Sequence, residues 1–349
     1  MAIWDIKERN KKTRANQIRG QRGLTGGGYG PSTTNTINYI TMASAGDATD
    51  FGDLTSARYG LAAGGNFNTC LFAGGGPASN VIDYVHFASV GNAADFGNLT
   101  AATENHAGGS NATRAIFGAG YAGGLVNVIA YVTATSVGNA IDFGDVSQTR
   151  HVPAATNSPT RMVWLGGQTP SVVNTIDYVE MATLGNATDF GDLSGVRSNF
   201  SGTCSSTRGV TGGGRTPSQV SIVDLITFAS TGNGQDFGDL TAARDKAAGV
   251  SNSIRAIFCG GDTDGGPSNV NTIDYINISG GGTATDFGDL TAATRDFAGS
   301  SNGHGGLDFE LPESQRPSVT YMPGSGRGFM AGGDNPSNLA TNDMLHIPT

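Results

Sequence analysis

Three features of the sequence predict an all-β fold built from repeated four-stranded sheets. The first is a recurring phrase, seen clearly from Asn174 to Leu193, whose Asp-Phe-Gly core puts a phenylalanine at Phe51, Phe96, Phe143, Phe190, Phe237 and Phe287, spaced 45, 47, 47, 47 and 50 residues apart. The second is that each unit holds four apolar runs, each of strand length and bounded by Gly, Asn, Ser or Pro, which is how short antiparallel strands read. The third is glycine, 55 of 349 residues, recurring in phase with the repeat and so marking turns. A period of this size with four runs per unit signals a β-propeller or a similar array. Such units bury their faces against one another and make one body, which overrides the two or three domains that the length alone would allow.

Within a unit the four strands are lettered A to D from the axis outward. In the fifth unit strand A falls near Asn199–Cys204 and is small and polar. Strand B is 208–214, strand C is 222–228 and strand D is 236–240. Strand C carries branched and aromatic residues, such as Ile37, Tyr39, Ile40 and Met42, which suit a pleated buried surface. Strand B ends in a double glycine, as at Gly166-Gly167 and Gly213-Gly214, often followed by a Pro-Ser turn, as at Pro170-Ser171 and Pro217-Ser218. A Gly-Asn loop joins C to D, where the asparagine is expected to tolerate left-handed geometry.

The strand B openings, Arg22, Thr69, Arg114, Arg161, Arg208, Arg255 and Arg327, number seven. The last unit lacks an Asp-Phe-Gly strand. Trp4 stands as far before Arg22 as Phe237 stands before Arg255, so Ala2–Ile6 is placed to supply it and Arg14–Arg19 stands where a strand A is expected. The sequence therefore predicts a seven-bladed propeller closed by its N-terminal strand, with joined ends leaving no open sheet edge. The alternative is six blades with the basic segment free. Residues 1–20 form a basic segment and 21–349 the propeller, with an inserted loop at about 302–325. An inserted loop on a rigid scaffold is either a binding element or a length-tolerant surface loop.

The net charge of −9 hides an asymmetry, because residues 1–22 carry seven basic residues against Asp5 and Glu8. Lys7, Arg9, Lys11, Lys12, Arg14 and Arg19 are the candidate docking residues of this arm, on an acidic partner surface. Cys70, Cys204 and Cys259 are scattered over three units and form neither a disulfide framework nor a zinc site. No apolar stretch is long enough for a signal peptide or a membrane span. Synthesis in a cytoplasm is expected, with no insertion into a membrane and no nucleic acid bound.

The double glycine after strand B, the aromatic strand C and the closing strand D resemble kelch repeats. One departure is the phenylalanine of strand D, where kelch units carry tryptophan; here only Trp4 matches. Thr188-Asp-Phe-Gly-Asp-Leu193, the opening Trp4-Asp5, the run Arg22-Gly-Leu-Thr-Gly-Gly-Gly28 and the run Pro317 to Gly326 resemble more closely the kelch-like proteins of marine tailed bacteriophages. That resemblance covers essentially the whole chain. It implies a virion protein of the tail or a tail appendage, fibre-like or an adaptor. The implied partners are other tail proteins and a host-surface glycan or receptor, with copy number set by particle symmetry.

No catalytic residue stands out and no cofactor is expected. The five histidines fall at different phases, which argues against a copper centre of the galactose-oxidase kind. There is no His-Glu-x-x-His helix and no P-loop. The Asp-Phe-Gly triplets recur without a kinase catalytic loop and read as structural. Carboxylates are plentiful but no pair is singled out for glycoside hydrolysis. A carbohydrate-active enzyme using the propeller mouth is the alternative function. Asp262 and Asp264 make a weak candidate for a metal site, since oxygen-rich loops hold Ca²⁺. Arg58, Arg150, Arg197 and Arg244, just past strand D, are expected to pair with the repeated aspartates of strands C and D and tie blade to blade. The alternative for them is an anion- or glycan-binding rim.

Overall fold

The structure, a computed structural model, describes residues 22–263 and 269–307, together with the backbone of the strands Arg327–Gly333 and Leu339–His346. Among these residues there is no helix, so none is long enough to cross a membrane. Residues 22–307 make six four-stranded antiparallel blades, the fifth of which gains the short strand Gly282–Thr283 in parallel at its outer edge. Blade 1 takes strand B from Arg22–Gly26, strand C from Thr36–Thr41 and strand D from Thr49–Asp53. Its strand A is Ala298–Ser301, from the other end of the ring, in register with Gly23↔Ser301 and Gly26↔Ala298. Blades 2 to 6 run in simple order over 62–98, 107–145, 154–192, 201–239 and 248–289.

The propeller is as expected, and the blade count is corrected from seven to six. A strand A has room for one strand B at its edge. Ala298–Ser301 gives that edge to Arg22–Gly26, and not to the other candidate strand B at Arg327. Among the described residues Arg327–Gly333 pairs with Leu339–His346, in a unit of residues 309–349. The expected closing strand Ala2–Ile6 and the expected strand A at Arg14–Arg19 lie outside the described residues. Of the expected inserted loop, residues 302–307 are described, and they are buried on the ring axis rather than on the surface.

Strands A are short and small, as in Gly202, Thr203 and Cys204, because six of them converge on the axis. Apolar clusters lie between neighbouring blades. One joins Leu24, Phe51, Phe72 and Val85 of blades 1 and 2. Another joins Ile116, Phe143, Trp164 and Val179 of blades 3 and 4. The three cysteines are free and buried in these layers, and burial pushes the Cys259 thiol up to about 12.

Polar ties repeat on this wall. The arginine opening strand B crosses to a carbonyl of the next blade: Arg114 Nη1 donates to Met181 O at 2.6 Å, Arg208 Nη1 to Ile278 O at 2.8 Å and Arg255 Nη1 to Met42 O at 2.8 Å. Blade 2 has Thr69 at this position, and Asn66 Nδ2 makes the tie instead, to Ala134 O at 2.7 Å. The Gly-Asn loop works through its asparagine side chain, which was not foreseen. Asn92, Asn139, Asn186 and Asn233 each accept from a backbone N–H of the preceding strand D. The strand D glycine makes room for that loop, since a Cβ on Gly52 would overlap the Gly91 carbonyl.

The expected arginine ties are present, with partners on strand C of the next blade. Arg58, Arg150, Arg197 and Arg244 meet Asp83, Asp177, Asp224 and Asp274 at 2.6, 2.7, 2.6 and 3.0 Å, all buried. Each arginine carbonyl accepts from a glycine N–H of its own blade, as Gly28 N→Arg58 O at 2.7 Å, while its guanidinium reaches the following blade. Burial lowers the arginine pKa values and the aspartates oppose that shift. The carboxylates have further donors, as Thr55 and Ser194 hydroxyls bond Asp83 and Asp224. The alternative of an exposed arginine rim does not hold, because these side chains are sealed inside.

Candidate functional site

The two ends of the ring axis differ. At the face of the A–B hairpins, residues 302–307 cap the axis. His304 Nδ1 accepts from Gly306 N at 3.1 Å, so its Nε2 carries the hydrogen and faces Gly65 O at 3.3 Å and Ser110 Oγ at 3.2 Å. Burial lowers its pKa to about 4, so it is neutral. The cap leaves about 40 Å³ beneath it, among the small residues of the A strands.

The opposite face is built from the D–A connectors and the B–C turns. One connector residue per blade has positive φ: Gly60, Asn105, Val152, Asn199, Lys246 and Asp296, between 48° and 61°. Their backbones bond head to tail around the axis. Asn105 N donates to Gly60 O, Val152 N to Asn105 O, Asn199 N to Val152 O, Lys246 N to Asn199 O, Asp296 N to Lys246 O and Gly60 N to Asp296 O, at 2.7 to 3.0 Å. This ring of six peptide groups forms the floor of a cavity of about 400 Å³. The left-handed geometry explains why Gly, Asn and Asp hold four of the six places. Val152 is the costly exception, since a β-branched side chain crowds its own backbone there.

Around this floor each connector pairs with a B–C turn: Tyr29 with Arg295, Tyr59 with Gly76, Glu104 with Tyr121, His151 with Gln168, Ser198 with Arg215 and Asp245 with Asp262. No two pairs are alike. Tyr59, His151, Gln168, Arg215, Asp245 and Asp262 are among the residues that line the cavity. Tyr29 stands edge-on to Tyr59 with centroids 6.4 Å apart, and Arg295 lies 5.4 Å over the Tyr29 ring. Tyr29 and Tyr121 are 37% and 40% exposed. Burial raises the Asp245 carboxyl, opposed by Gln219, Arg215 and Lys246 and reinforced by Asp262. Burial lowers the His151 imidazole.

The candidates named from sequence divide as follows. Lys7, Arg9, Lys11, Lys12, Arg14 and Arg19 lie outside the described residues, as does Asp264. Asp262 lies in the mouth, where Arg295 Nη1 holds its Oδ2 at 2.8 Å. Among the described residues no three His, Cys, Asp or Glu side chains gather as a metal site. The described histidines do not converge either: His304 is in the cap, His151 in the mouth, and His106 is buried in a connector. Sequence reasoning missed the mouth. Its signal was a three-residue connector stretch that changes in every unit, centred on Gly60, Asn105, Val152, Asn199, Lys246 and Asp296, between a recurring Arg or Thr two residues before and a recurring Ala or Ser two residues after. No family model matches the chain, and no curated protein matches it.

Proposed function

We propose that this chain is a structural and adhesive protein of a bacteriophage particle, carried in the tail or a tail appendage, and that the propeller mouth binds the host surface. The single observation that carries the binding role is the contrast between wall and mouth. The wall repeats its arginines, aspartates and glycines from blade to blade, whereas the mouth pairs differ in every blade. A six-fold scaffold needs no such difference, and recognition of an asymmetric ligand does. The particle context rests on the repeat phrases that resemble phage kelch-like proteins, since a propeller by itself serves many functions.

In this reading the basic arm, Lys7 to Arg19, docks on an acidic neighbouring tail protein, and several copies follow the symmetry of the particle. Every strand of the ring lies between Arg22 and Ser301, so deleting residues 1–20 leaves the six blades whole. The expected outcome is a folded protein that no longer enters particles, measured by quantitative gel analysis of purified virions. A full complement on those virions overturns the anchor.

A second reading, a carbohydrate-active enzyme in the same mouth, draws on Asp245, whose carboxyl is raised by burial beside Asp262. Against it, both acids already hold guanidinium partners, Arg215 and Arg295. Hydrolysis of a glycan panel, abolished by Asp245→Asn, would establish the enzyme in place of the adhesin.

A further inference from the structure

The charged side chains that line the cavity are each paired. Asp245 Oδ2 faces Arg215 Nε at 3.1 Å, Asp296 Oδ2 faces Lys246 Nζ at 3.1 Å, and Asp262 Oδ2 faces Arg295 Nη1 at 2.8 Å. Arg295 Nε also lies 3.7 Å from Asp296. Three cations therefore meet three carboxylates, so an ion bound in the cavity would find its charged lining already paired; Glu104, at the rim beside Tyr121, stands outside these pairs and does not line the cavity.

Three side-chain oxygens in this sector remain unmatched. Asp262 Oδ1, Gln219 Oε1 and Asn269 Oδ1 are buried and have no hydrogen-bond partner. Asp262 lines the cavity and is only 9% exposed. Asn269 is its cross-strand neighbour, and Gln219 donates through Nε2 to Asp245 at 3.0 Å. These three oxygens lack donors, whereas the Nε atoms of Arg215 and Arg295 already face carboxylates, Asp245 at 3.1 Å and Asp296 at 3.7 Å. Leaving such an acceptor dry and unmatched costs about 1–3 kcal/mol, so a ligand that supplies donors recovers that cost.

A matching ligand brings hydrogen-bond donors and no net charge. An anionic sugar adds acceptors and a charge to a set already balanced. An amino sugar adds donors together with an uncompensated cation. A neutral polyhydroxylated molecule meets both conditions. Tyr59 gives its apolar ring face an aromatic wall within the cavity, and the half-exposed Tyr29 extends that wall. A volume of about 400 Å³ suits a small saccharide.

We propose that the mouth is a binding site for neutral saccharides, with Asp262 accepting a ligand hydroxyl and Tyr59 packing on the sugar face. This rests on the reading of the mouth as the binding site. The test is calorimetric titration of the full-length protein with three sets of methyl glycosides and short oligosaccharides: neutral hexosides, sialosides with glucuronides, and glucosaminides. Binding is expected for neutral sugars alone, and its affinity should change by less than roughly twofold between low and high salt, because no net charge is neutralised. Asp262→Ala should weaken it by about tenfold or more, in keeping with a hydrogen bond to a charged group. Tyr59→Ala should also weaken it. Far-UV circular dichroism and thermal unfolding confirm that both variants fold. Preferential binding of the anionic or cationic sets overturns the neutral specificity and leaves the mouth as the site. Neutral binding unchanged in both folded variants places the sugar elsewhere and overturns the proposal. Silence from all three sets overturns the proposal together with the glycan reading of the mouth.

Discussion

The wall and the mouth of this propeller are built from the same repeat under different constraints. In the wall, the arginine after strand D and the aspartate of strand C are kept together or lost together. Four junctions have Arg58–Asp83, Arg150–Asp177, Arg197–Asp224 and Arg244–Asp274. At the same repeat positions blade 3 has Thr103 and Ala130, and blade 1 has Thr294 and Asn38. No junction keeps half a pair. A buried charge without its partner costs more than the pair contributes, so the acceptable states are both or neither. In the mouth no such coupling operates, and the blades diverge.

The unpaired junction at blade 3 shows what replacing the pair leaves behind. Leu99, Thr103, His106, Phe117 and Ala130 surround a cavity of about 70 Å³. Both nitrogens of the buried His106 lack hydrogen-bond partners. Burial, with Arg58 nearby, lowers its pKa to about 3. Where blade 3 has His106, blades 5 and 1 have Phe200 and Phe297.

The comparison can be broken most forcefully at a clamped junction. Arg197→Thr strands Asp224 and should cost about 3–5 kcal/mol in urea unfolding. Adding Asp224→Ala, which copies blade 3, should recover part of that loss; strict additivity would show that the pair is not coupled.

A more gradual effect is expected from pH. His106 and His304 are held neutral, with folded pKa values of about 3 and about 4 against 6.5 for the free side chain. As pH falls below 6.5 the unfolded chain takes up protons that the folded chain refuses. Stability is therefore complete above that value and should decline through pH 6 to 4, with each histidine contributing up to roughly 1.4 kcal/mol per pH unit. His106→Phe should remove its share of the slope, and an unchanged slope would contradict the assignment.

Val152→Asn, which copies Asn105 and Asn199 in the mouth floor, should raise stability by about 1 kcal/mol by relieving the left-handed strain. Smallest of all, Tyr121→Ala at the exposed rim should leave stability within about 0.5 kcal/mol of the parent, measured by the same unfolding curves.

Much of the wall was legible in the sequence because its determinants are local and repeated. The Asp-Phe-Gly spacing gave the blades, and the arginine positions pointed to the ties. Two things were hidden. The blade count depended on which strand B claims Ala298–Ser301, a contest between residues nearly the full ring apart. The repeat at Arg327 looked equally qualified. The mouth was hidden for the opposite reason: its residues are defined by not repeating, and only closure of the ring brings Tyr59, Gln168 and Asp262 to one cavity. The paired loss of arginine and aspartate was visible in the aligned units, yet its meaning needed the contact.

The central claim is that the wall holds the molecule together while the mouth recognises. Side-by-side calorimetric titration of Arg197→Thr and Tyr59→Ala with neutral hexosides, at a temperature where both remain folded, tests it most directly. The wall variant is expected to bind as the parent does and the mouth variant to lose affinity. Loss in the wall variant with full binding in the mouth variant would contradict it.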